Sequence, residues 1–299
     1  MRKKVTFVVV LTPLLSLMLA GVALAQGHGG VHWGYEGEAG PEHWGDLSPD
    51  YATCGSGMEQ SPIDIPASAP VNPADLAFNY KPTAVTIVNN GHAIQVNYDE
   101  GSSIEVDGIT YKLLQFHFHA LSEHTVKGEH ADMEMHLVHQ NAAGGLAVVG
   151  VLINTGAENP AYAPVWNHLP AEEGEPETIS GETVNVNDLL PADRSYYRYN
   201  GSLTTPPCTE GVKWLLMTAP VELSEAQVAA FDAVMYDDYR PVQPFNARAF
   251  LLSSEVAPAV MPTTGGDPLA AAPFGLVLAG MALLGIGLAI YAVRRRQPA

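Results

Sequence analysis

Basic residues are scarce in this sequence, and their scarcity excludes one broad class of function. The 299 residues include 14 Lys and Arg against 32 Asp and Glu. Six of the basic residues stand at the two ends, so residues 36–267 carry 8 basic and 32 acidic side chains, a formal charge of −24. Nucleic acids are bound through patches of Lys and Arg. The composition therefore excludes a nucleic-acid partner and predicts an acidic, well-solvated surface.

Long apolar runs are also absent, except at the two ends of the chain. This distribution excludes a protein with several membrane spans. The hydrophobic content of 47% in turn excludes a disordered chain. No internal repeat is present, and the length between the two ends suits a single domain, predicted over residues 26–260.

The amino-terminal end has the pattern of a secretory signal. Three basic residues at positions 2–4 precede an uncharged run over residues 5–25, which ends in Ala-Leu-Ala. A basic start, an apolar stretch and small residues at the end are typical of a signal peptide. We predict a signal peptide over residues 1–25, with an uncleaved anchor helix as the alternative. The catalytic or binding domain is then exported from the cytoplasm.

The carboxy-terminal end has the pattern of a surface anchor over residues 261–299. Residues 268–293 carry no charge, and three arginines follow at 294–296. The 20 residues 274–293 make about 30 Å of helix, roughly one hydrocarbon core. Met-Pro-Thr-Thr-Gly at 261–265 resembles the Leu-Pro-x-Thr-Gly sorting signal of bacterial surface proteins, with Met in place of Leu. The tail predicts either a plain membrane anchor or linkage to the cell wall after sorting, and a cell-surface location in both cases.

Only two cysteines are present, Cys54 and Cys208. In an exported protein two cysteines most often form a disulfide. The bridge closes a loop of more than 150 residues and stabilises the fold by on the order of 5 kcal/mol in the chain-entropy description. Two unpaired, buried thiols are the alternative.

The periodicity of the middle of the chain predicts mostly β-structure. Alternating or β-branched stretches, separated by Gly and Asn-Gly breaks, indicate strands. The predicted strands are residues 85–88, 93–98, 104–106, 111–119, 133–139, 146–153 and 213–218. One helix is predicted after Ser224, which forms a capping box with Gln227. The Glu-rich residues 171–188 are predicted to form an acidic surface loop.

Histidines on two of these strands indicate a metal site. Side chains two positions apart on a strand share a face, so Gln115, His117 and His119 lie together, as do Glu134 and His136. If the strands pair, three imidazoles converge, and three histidines with one open position are a catalytic zinc arrangement. Gln115 and Glu134 are placed to accept the second N–H of a ligand. The pattern predicts Zn²⁺ as the cofactor, against a chance pair of histidine-rich strands.

Nine segments in order resemble the α-class carbonic anhydrases of bacteria, in their exported branch. Among them are Gln-Phe-His-Phe-His at 115–119, Ser-Glu-His-Thr-Val at 122–126 and Glu-Met-His-Leu-Val at 134–138. The others are residues 33–35, 41–44, 60–65, 89–92, 201–207 and 240–244. The resemblance implies a mainly β fold, with a central, largely antiparallel twisted sheet and short peripheral helices. It also implies zinc-dependent, reversible hydration of carbon dioxide to bicarbonate and a proton.

The resemblance also implies a role for each residue of the site. Zinc would be held by His117, His119 and His136. Gln115 would accept a hydrogen bond from His117, and Glu134 would accept one from His136. Thr204 would orient the attacking hydroxide and donate a hydrogen bond to Glu123, while His92 would carry the proton to solvent. The carbon dioxide pocket would be formed by Val138, Val148, Leu203, Thr205, Val212 and Trp214. The ordered water chain would be held by Tyr35, Asn90 and Gln95.

Three further implications follow from the same resemblance. Cys54 and Cys208 match the pair that is bridged in the bacterial branch. Ala120-Leu121 after the ligand pair, and Gln95 in place of an Asn, also match bacterial members. Some relatives of the family lack a ligand histidine, so the alternative is a non-enzymatic zinc-binding module with the same fold. Histidine is suited to the proton step because its ordinary pKa lies near neutrality.

Overall fold

The structure, a computed structural model, describes residues 31–73 and 75–252. The predicted signal peptide at 1–25 and the predicted anchor at 261–299 lie outside the described residues. Within the described part of the chain, no helix is both long and apolar enough to cross a membrane.

Fourteen strands and four short α-helices are formed by the described residues. The strands are β1 Asp64–Ile65, β2 Ala77–Asn79, β3 Thr83–Asn89, β4 Ile94–Asn97, β5 Ser103–Val106, β6 Ile109–His119, β7 Thr125–Val126, β8 Glu129–His130, β9 Met133–Asn141, β10 Leu146–Thr155, β11 Glu177–Val184, β12 Tyr196–Ser202, β13 Glu210–Met217 and β14 Val221–Leu223. The helices are α1 Trp44–Leu47, α2 Ala52–Ser56, α3 Ala163–Trp166 and α4 Glu225–Asp232. Short 3-10 turns lie at Gly37–Ala39, Pro49–Tyr51, Pro160–Tyr162 and Val186–Leu189.

One large sheet organises the fold. Its strands follow the order β11-β3-β4-β6-β9-β10-β13-β12, with β5 also paired to β6, β2 to β5 and β14 to β10. Neighbours are antiparallel except for β10 with β13 and β10 with β14. A small sheet of β1, β7 and β8 lies beside it. The predicted class, mainly β with a largely antiparallel sheet and short helices, is confirmed.

The two faces of the central strands bury different sets of side chains. On β6, Phe116 and Phe118 are fully buried in the larger apolar core, together with Leu137 of β9. The alternate residues of β6 point to the opposite face, where the histidines lie near a smaller apolar cluster that includes Trp214. The period-two alternation of a strand thus separates the core from the site.

The expected acidic loop at residues 171–188 is wrong for its second half, which contains β11. This strand pairs with β3 at the end of the sheet, with a register shift between Thr178 and Thr183. Most of its side chains are exposed, and only Val184 is buried. An edge strand with two polar faces has no apolar alternation, so its backbone pairing is invisible in the sequence. The strand β12 was also absent from the prediction.

The predicted carboxy-terminal helix is confirmed as α4. The Ser224 hydroxyl accepts from the Gln227 N–H at 3.2 Å, and the Gln227 side chain accepts from the Ser224 N–H at 3.0 Å. This capping box satisfies donors that the first helical turn leaves without intrahelical partners. Phe231 is the fully buried residue of the helix and packs on Phe118 with ring centroids 6.0 Å apart.

Candidate metal centre

Two neighbouring strands bring three histidines together. In the antiparallel pairing of β6 with β9, His117 lies opposite His136, and His119 lies opposite Glu134. One ring nitrogen from each of the three histidines lies within 4.8 Å of the others. His119 and His136 are buried, and His117 is half-buried. Backbone register therefore produces the convergence that the sequence predicted.

Two of the histidines are oriented by residues on their own strands. The Nδ1 of His117 lies 2.9 Å from Gln115 Oε1, and the Nε2 of His136 lies 2.9 Å from Glu134 Oε1. Because the side-chain oxygens accept, each histidine donates its proton there and presents its other nitrogen to the centre. His117 thus presents Nε2, and His136 presents Nδ1.

The third histidine is oriented by a residue that the sequence analysis missed. The Nδ1 of His119 lies 2.7 Å from the backbone carbonyl of Asp238, which is 119 positions away in the chain. The Asp238 carboxylate also accepts from the N–H of Ala120 at 2.8 Å. Any residue type offers a carbonyl, so no sequence pattern marks this partner. His119 presents its Nε2 to the centre.

The electrostatics of the three imidazoles fit a divalent cation. Burial holds the pKa of His117 well below its usual range and lowers the pKa of His136, which favours the neutral form that a metal ligand requires. Burial also lowers the pKa of His119, but the carboxylates of Glu123 and Asp238 outweigh it and raise that pKa. The buried Nε2 of His119 has no hydrogen-bond partner among the described residues. A buried, unsatisfied nitrogen on an imidazole next to the carboxylates of Glu123 and Asp238 is what a zinc ion would complete.

The histidines lie at the floor of a cavity of about 390 Å³ with one apolar and one polar wall. The apolar wall contains Val138, Val148, Leu203 and Trp214, and Thr204 and Thr205 lie beside it. The polar wall contains Tyr35, Asn90, His92 and Gln95. Val212 does not line the cavity: it is buried in the apolar cluster behind it, together with Trp214. The structure therefore brings the predicted catalytic, ligand and pocket residues to one cavity, except for Val212, Glu123 and Glu134.

Glu123 lies beneath the metal centre rather than on the cavity wall. Its Oε1 accepts the backbone N–H of Arg240 at 2.9 Å, while its Oε2 has no hydrogen bond among the described residues. That Oε2 lies 3.7 Å from His119 Nε2 and 3.8 Å from His136 Nδ1. Thr204 is buried and lines the cavity, and the part of the chain described here contains no hydrogen bond between it and Glu123. Their predicted hydrogen bond stays a prediction.

His92 stands on the polar wall and packs on an aromatic ring. Its imidazole stacks on the indole of Trp33, with centroids 3.7 Å apart and an interplanar angle of 10°. The Asn90 side chain accepts its backbone N–H at 3.0 Å, and the Tyr35 hydroxyl donates to its carbonyl at 3.4 Å. Burial lowers the pKa of His92. No local pattern marks Trp33 for a role at the site, although that residue lies in one of the family segments.

Sequence comparison identifies the family to which this geometry belongs. A profile described as eukaryotic-type carbonic anhydrase matches residues 39–254. The chain belongs to the carbonic anhydrase family. The resemblance to the carbonic anhydrase family is thereby confirmed, and the protein is an enzyme of this family. Its assignment to the exported branch stays a prediction.

Bacterial carbonic anhydrases are similar to the chain over most of their length. A carbonic anhydrase of Klebsiella pneumoniae is 47% identical over 223 residues, which are 74% of this chain and 90% of the relative. One from Nostoc sp. is 45% identical over 223 residues, 73% of this chain and 84% of the relative. The solved α-carbonic anhydrase of Thermovibrio ammonificans, in complex with the inhibitor sulfanilamide, has a TM-score of 0.72 and 47% identity, and covers 75% of this chain and 100% of its own.

A chain of buried hydrogen bonds extends from His136 through Glu134. Glu134 Oε1 is 2.8 Å from His124 Nδ1, and Glu134 Oε2 accepts the His124 backbone N–H at 2.8 Å. On the other side of the imidazole, His124 Nε2 is 2.6 Å from the hydroxyl of Tyr199. Burial alone would raise the pKa of Glu134, but His124 and His136 outweigh it and hold that pKa well below its usual range. His124 is thus a structural histidine with both ring nitrogens hydrogen-bonded, and no local pattern marks its partner Tyr199.

The predicted disulfide is confirmed and lies close to the cavity. Cys54 of α2 is bonded to Cys208, with Cα atoms 5.0 Å apart. The Cys208 backbone N–H donates to the carbonyl of Thr205 at 2.8 Å, and the Gln60 side chain donates to the Cys208 carbonyl at 3.1 Å. The bridge therefore ties the loop that carries Thr204 and Thr205 to a distant part of the chain.

Proposed function

We propose that this carbonic anhydrase binds zinc through His117, His119 and His136 and catalyses the reversible hydration of carbon dioxide. The observation that carries the proposal is the convergence of three oriented imidazole nitrogens at the floor of a cavity with an apolar wall. Zinc held by neutral imidazoles lowers the pKa of a water molecule toward neutrality, and carbonic anhydrases are the standard example of this effect.

The side chains around the site have separate tasks in this mechanism. The apolar wall, with Val148 and Trp214 at its centre, holds the uncharged carbon dioxide without offering it a competing polar partner. Thr204 would fix the orientation of the attacking oxygen by accepting a hydrogen bond from it and donating its own proton to Glu123. Because a hydroxyl has one proton to donate, a Thr204 hydroxyl that donates to Glu123 cannot also donate to the substrate.

Proton export is assigned to the opposite wall. Each hydration cycle leaves one proton in the cavity, and regeneration of the site requires its removal. His92 lines the cavity and is half-buried, so part of its side chain remains exposed. Tyr35, Asn90 and Gln95 line the same cavity and carry groups that hydrogen-bond water, which supports a water chain between the metal centre and His92. We assign His92 the role of proton carrier on this basis.

The decisive experiment measures metal and activity on the same preparation. We expect about one zinc per chain, loss of carbon dioxide hydration after chelation, and its return when zinc is added back. The alternative, a non-enzymatic zinc-binding module, predicts full zinc content with no hydration. A preparation that hydrates carbon dioxide equally well with and without zinc would contradict the proposal.

We also propose that the enzyme acts on the outer side of the membrane. The signal pattern at residues 1–25 and the apolar, Arg-terminated tail support this location. A disulfide between Cys54 and Cys208 is also characteristic of an oxidising compartment. Mass spectrometry of the mature protein tests the anchor: a plain anchor keeps residues 265–299, whereas sorting ends the chain at Thr264 with a cell-wall adduct. Soluble, unprocessed full-length protein outside the cell contradicts both.

A further inference from the structure

An acidic loop is held against the turn that carries His92. The backbone N–H of Gly174 donates to the carbonyl of Asn89 at 3.0 Å, and the Asn89 side chain donates to the carbonyl of Pro170 at 3.3 Å. Asn89 is buried and lies three residues before His92. These two hydrogen bonds place residues 170–174 alongside the turn at residues 89–92.

One carboxylate of this loop lies directly against the turn. Gly91 has a positive φ of 82°, and a methyl group placed on its Cα would lie 3.0 Å from both Cδ and Oε2 of Glu173. No hydrogen bond within the described residues engages the Glu173 carboxylate, which is exposed to solvent. Its negative charge is therefore available to the imidazole of the next residue, His92.

The charged and titratable groups around His92 shift the pKa of its imidazole in opposite directions. Burial lowers its pKa, and the carboxylate of Glu173 raises it. His32, from the amino-terminal segment, lowers it. Tyr35 contributes a hydroxyl that donates to the His92 carbonyl, and Trp33 contributes an uncharged ring. Of the charged neighbours, Glu173 has the larger effect, and it opposes the burial.

We propose that Glu173 is a positioning residue for proton export, whose carboxylate stabilises the protonated imidazole of His92 at the cavity mouth. The inference rests on the proposed role of His92. In the step, one imidazole nitrogen accepts a proton from the water chain, and the imidazolium then releases a proton to buffer, so only N–H and O–H bonds change. The carboxylate makes the first transfer more favourable because it offsets the cost of charging a half-buried ring.

The loop offers a matched control for this charge. Glu173→Gln removes the carboxylate and keeps the size of the side chain, and Glu172→Gln removes the same charge one residue away. Glu173→Asp keeps the charge on a shorter side chain. We expect nuclear magnetic resonance titration of the zinc-loaded enzyme to show a lower His92 pKa in Glu173→Gln, a native one in Glu172→Gln and a largely restored one in Glu173→Asp. His32→Gln should move the pKa in the opposite direction.

Kinetics then connect the titration to function. In weak buffer near neutral pH, Glu173→Gln should lower kcat for hydration by about twofold, the size expected for one partly screened charge. The value of kcat/KM should stay unchanged, and the difference from the native enzyme should shrink in about 1 M salt. Glu172→Gln should match the native enzyme throughout.

Each outcome decides between the two claims. If His92 titrates identically in Glu173→Gln and Glu172→Gln, the Glu173 proposal is overturned. It is also overturned if the titration shifts but kcat does not, while His92→Ala still slows turnover. If His92→Ala itself has no effect on turnover in weak buffer, the assignment of His92 as proton carrier fails, and with it the Glu173 role in proton export.

Discussion

The two walls of the cavity are built in different ways. The apolar wall takes Val138 from β9, Val148 from β10 and Trp214 from β13, all at most 4% exposed. Leu203 adds a loop residue close to the disulfide. The polar wall takes its residues from the amino-terminal segment, from the turn after β3 and from β4, and His92 there is half-buried.

In the proposed mechanism, this difference matches the demands of the two steps, hydration of carbon dioxide and export of the proton. Carbon–oxygen bond formation requires reacting atoms in a narrow range of distances and angles, which rigid strands supply. Proton export passes through water molecules and tolerates variation in their arrangement. Changes in the strand-built wall and the metal centre should therefore alter kcat/KM, whereas changes in the turn-built wall should alter kcat alone.

The largest effect is expected at the metal centre shared by both walls. His119→Ala should remove most of the zinc and nearly all hydration activity, because two histidines hold zinc poorly. Metal analysis and stopped-flow hydration assays check this. His43→Ala, which removes an exposed histidine, is the matched control and should keep both zinc and activity. Full zinc occupancy with normal hydration in His119→Ala would falsify the ligand assignment.

A smaller effect is expected beside the apolar wall. Thr204→Val removes the hydroxyl that is predicted to orient the attacking oxygen, and should lower kcat/KM by about a hundredfold, the size typical of one lost orienting hydrogen bond. Exogenous buffer should not restore it. Glu123→Gln should cause a similar loss, and the double variant should be little worse than either single one, because in the proposed mechanism the two residues act as one hydrogen-bonded unit. Additive losses would show that the two side chains act independently.

The matching change in the polar wall should leave the chemical step intact. His92→Ala should lower kcat in weak buffer by on the order of tenfold while kcat/KM stays nearly native. A small buffer such as imidazole should restore much of the loss by carrying the proton itself. If kcat/KM falls as strongly as in Thr204→Val, or if buffer restores nothing, the division of labour between the walls is incorrect.

Breaking the disulfide tests whether the bridge holds the loop beside the apolar wall in place. Reduction, or replacement of Cys54 and Cys208 by Ser, should lower the melting temperature by roughly 10 °C, because the bridge closes a long loop in the unfolded chain. The expected accompanying change is a modest fall in kcat/KM, since the loop carrying Thr204 loses its tether. Titration of two free thiols in the native protein would contradict the bridge itself.

Local patterns predicted the parts of the fold that depend on neighbouring residues. The strand β6 was predicted almost to its bounds because Phe116 and Phe118 alternate with the histidines, and α4 was predicted because its capping box spans only four residues. The edge strand β11 was missed because its polar side chains show no period of two. Asp238 and Tyr199 were missed because a carbonyl and a lone buried hydroxyl leave no local pattern.

The sequence by itself determined which two strands carry the three histidines. It also determined which side chains of those strands share a face, because backbone geometry makes every second side chain point the same way. It also determined that the two cysteines could pair and that nine family segments occur in order. Only the tertiary structure decided which nitrogen each histidine presents to the centre, since His119 depends on a carbonyl brought from Asp238 across the fold. It also placed Glu173 against the His92 turn, because that contact depends on hydrogen bonds between segments about 80 residues apart. Contacts between segments that are distant in the chain depend on the packing of the whole fold, and no local run of residues encodes them.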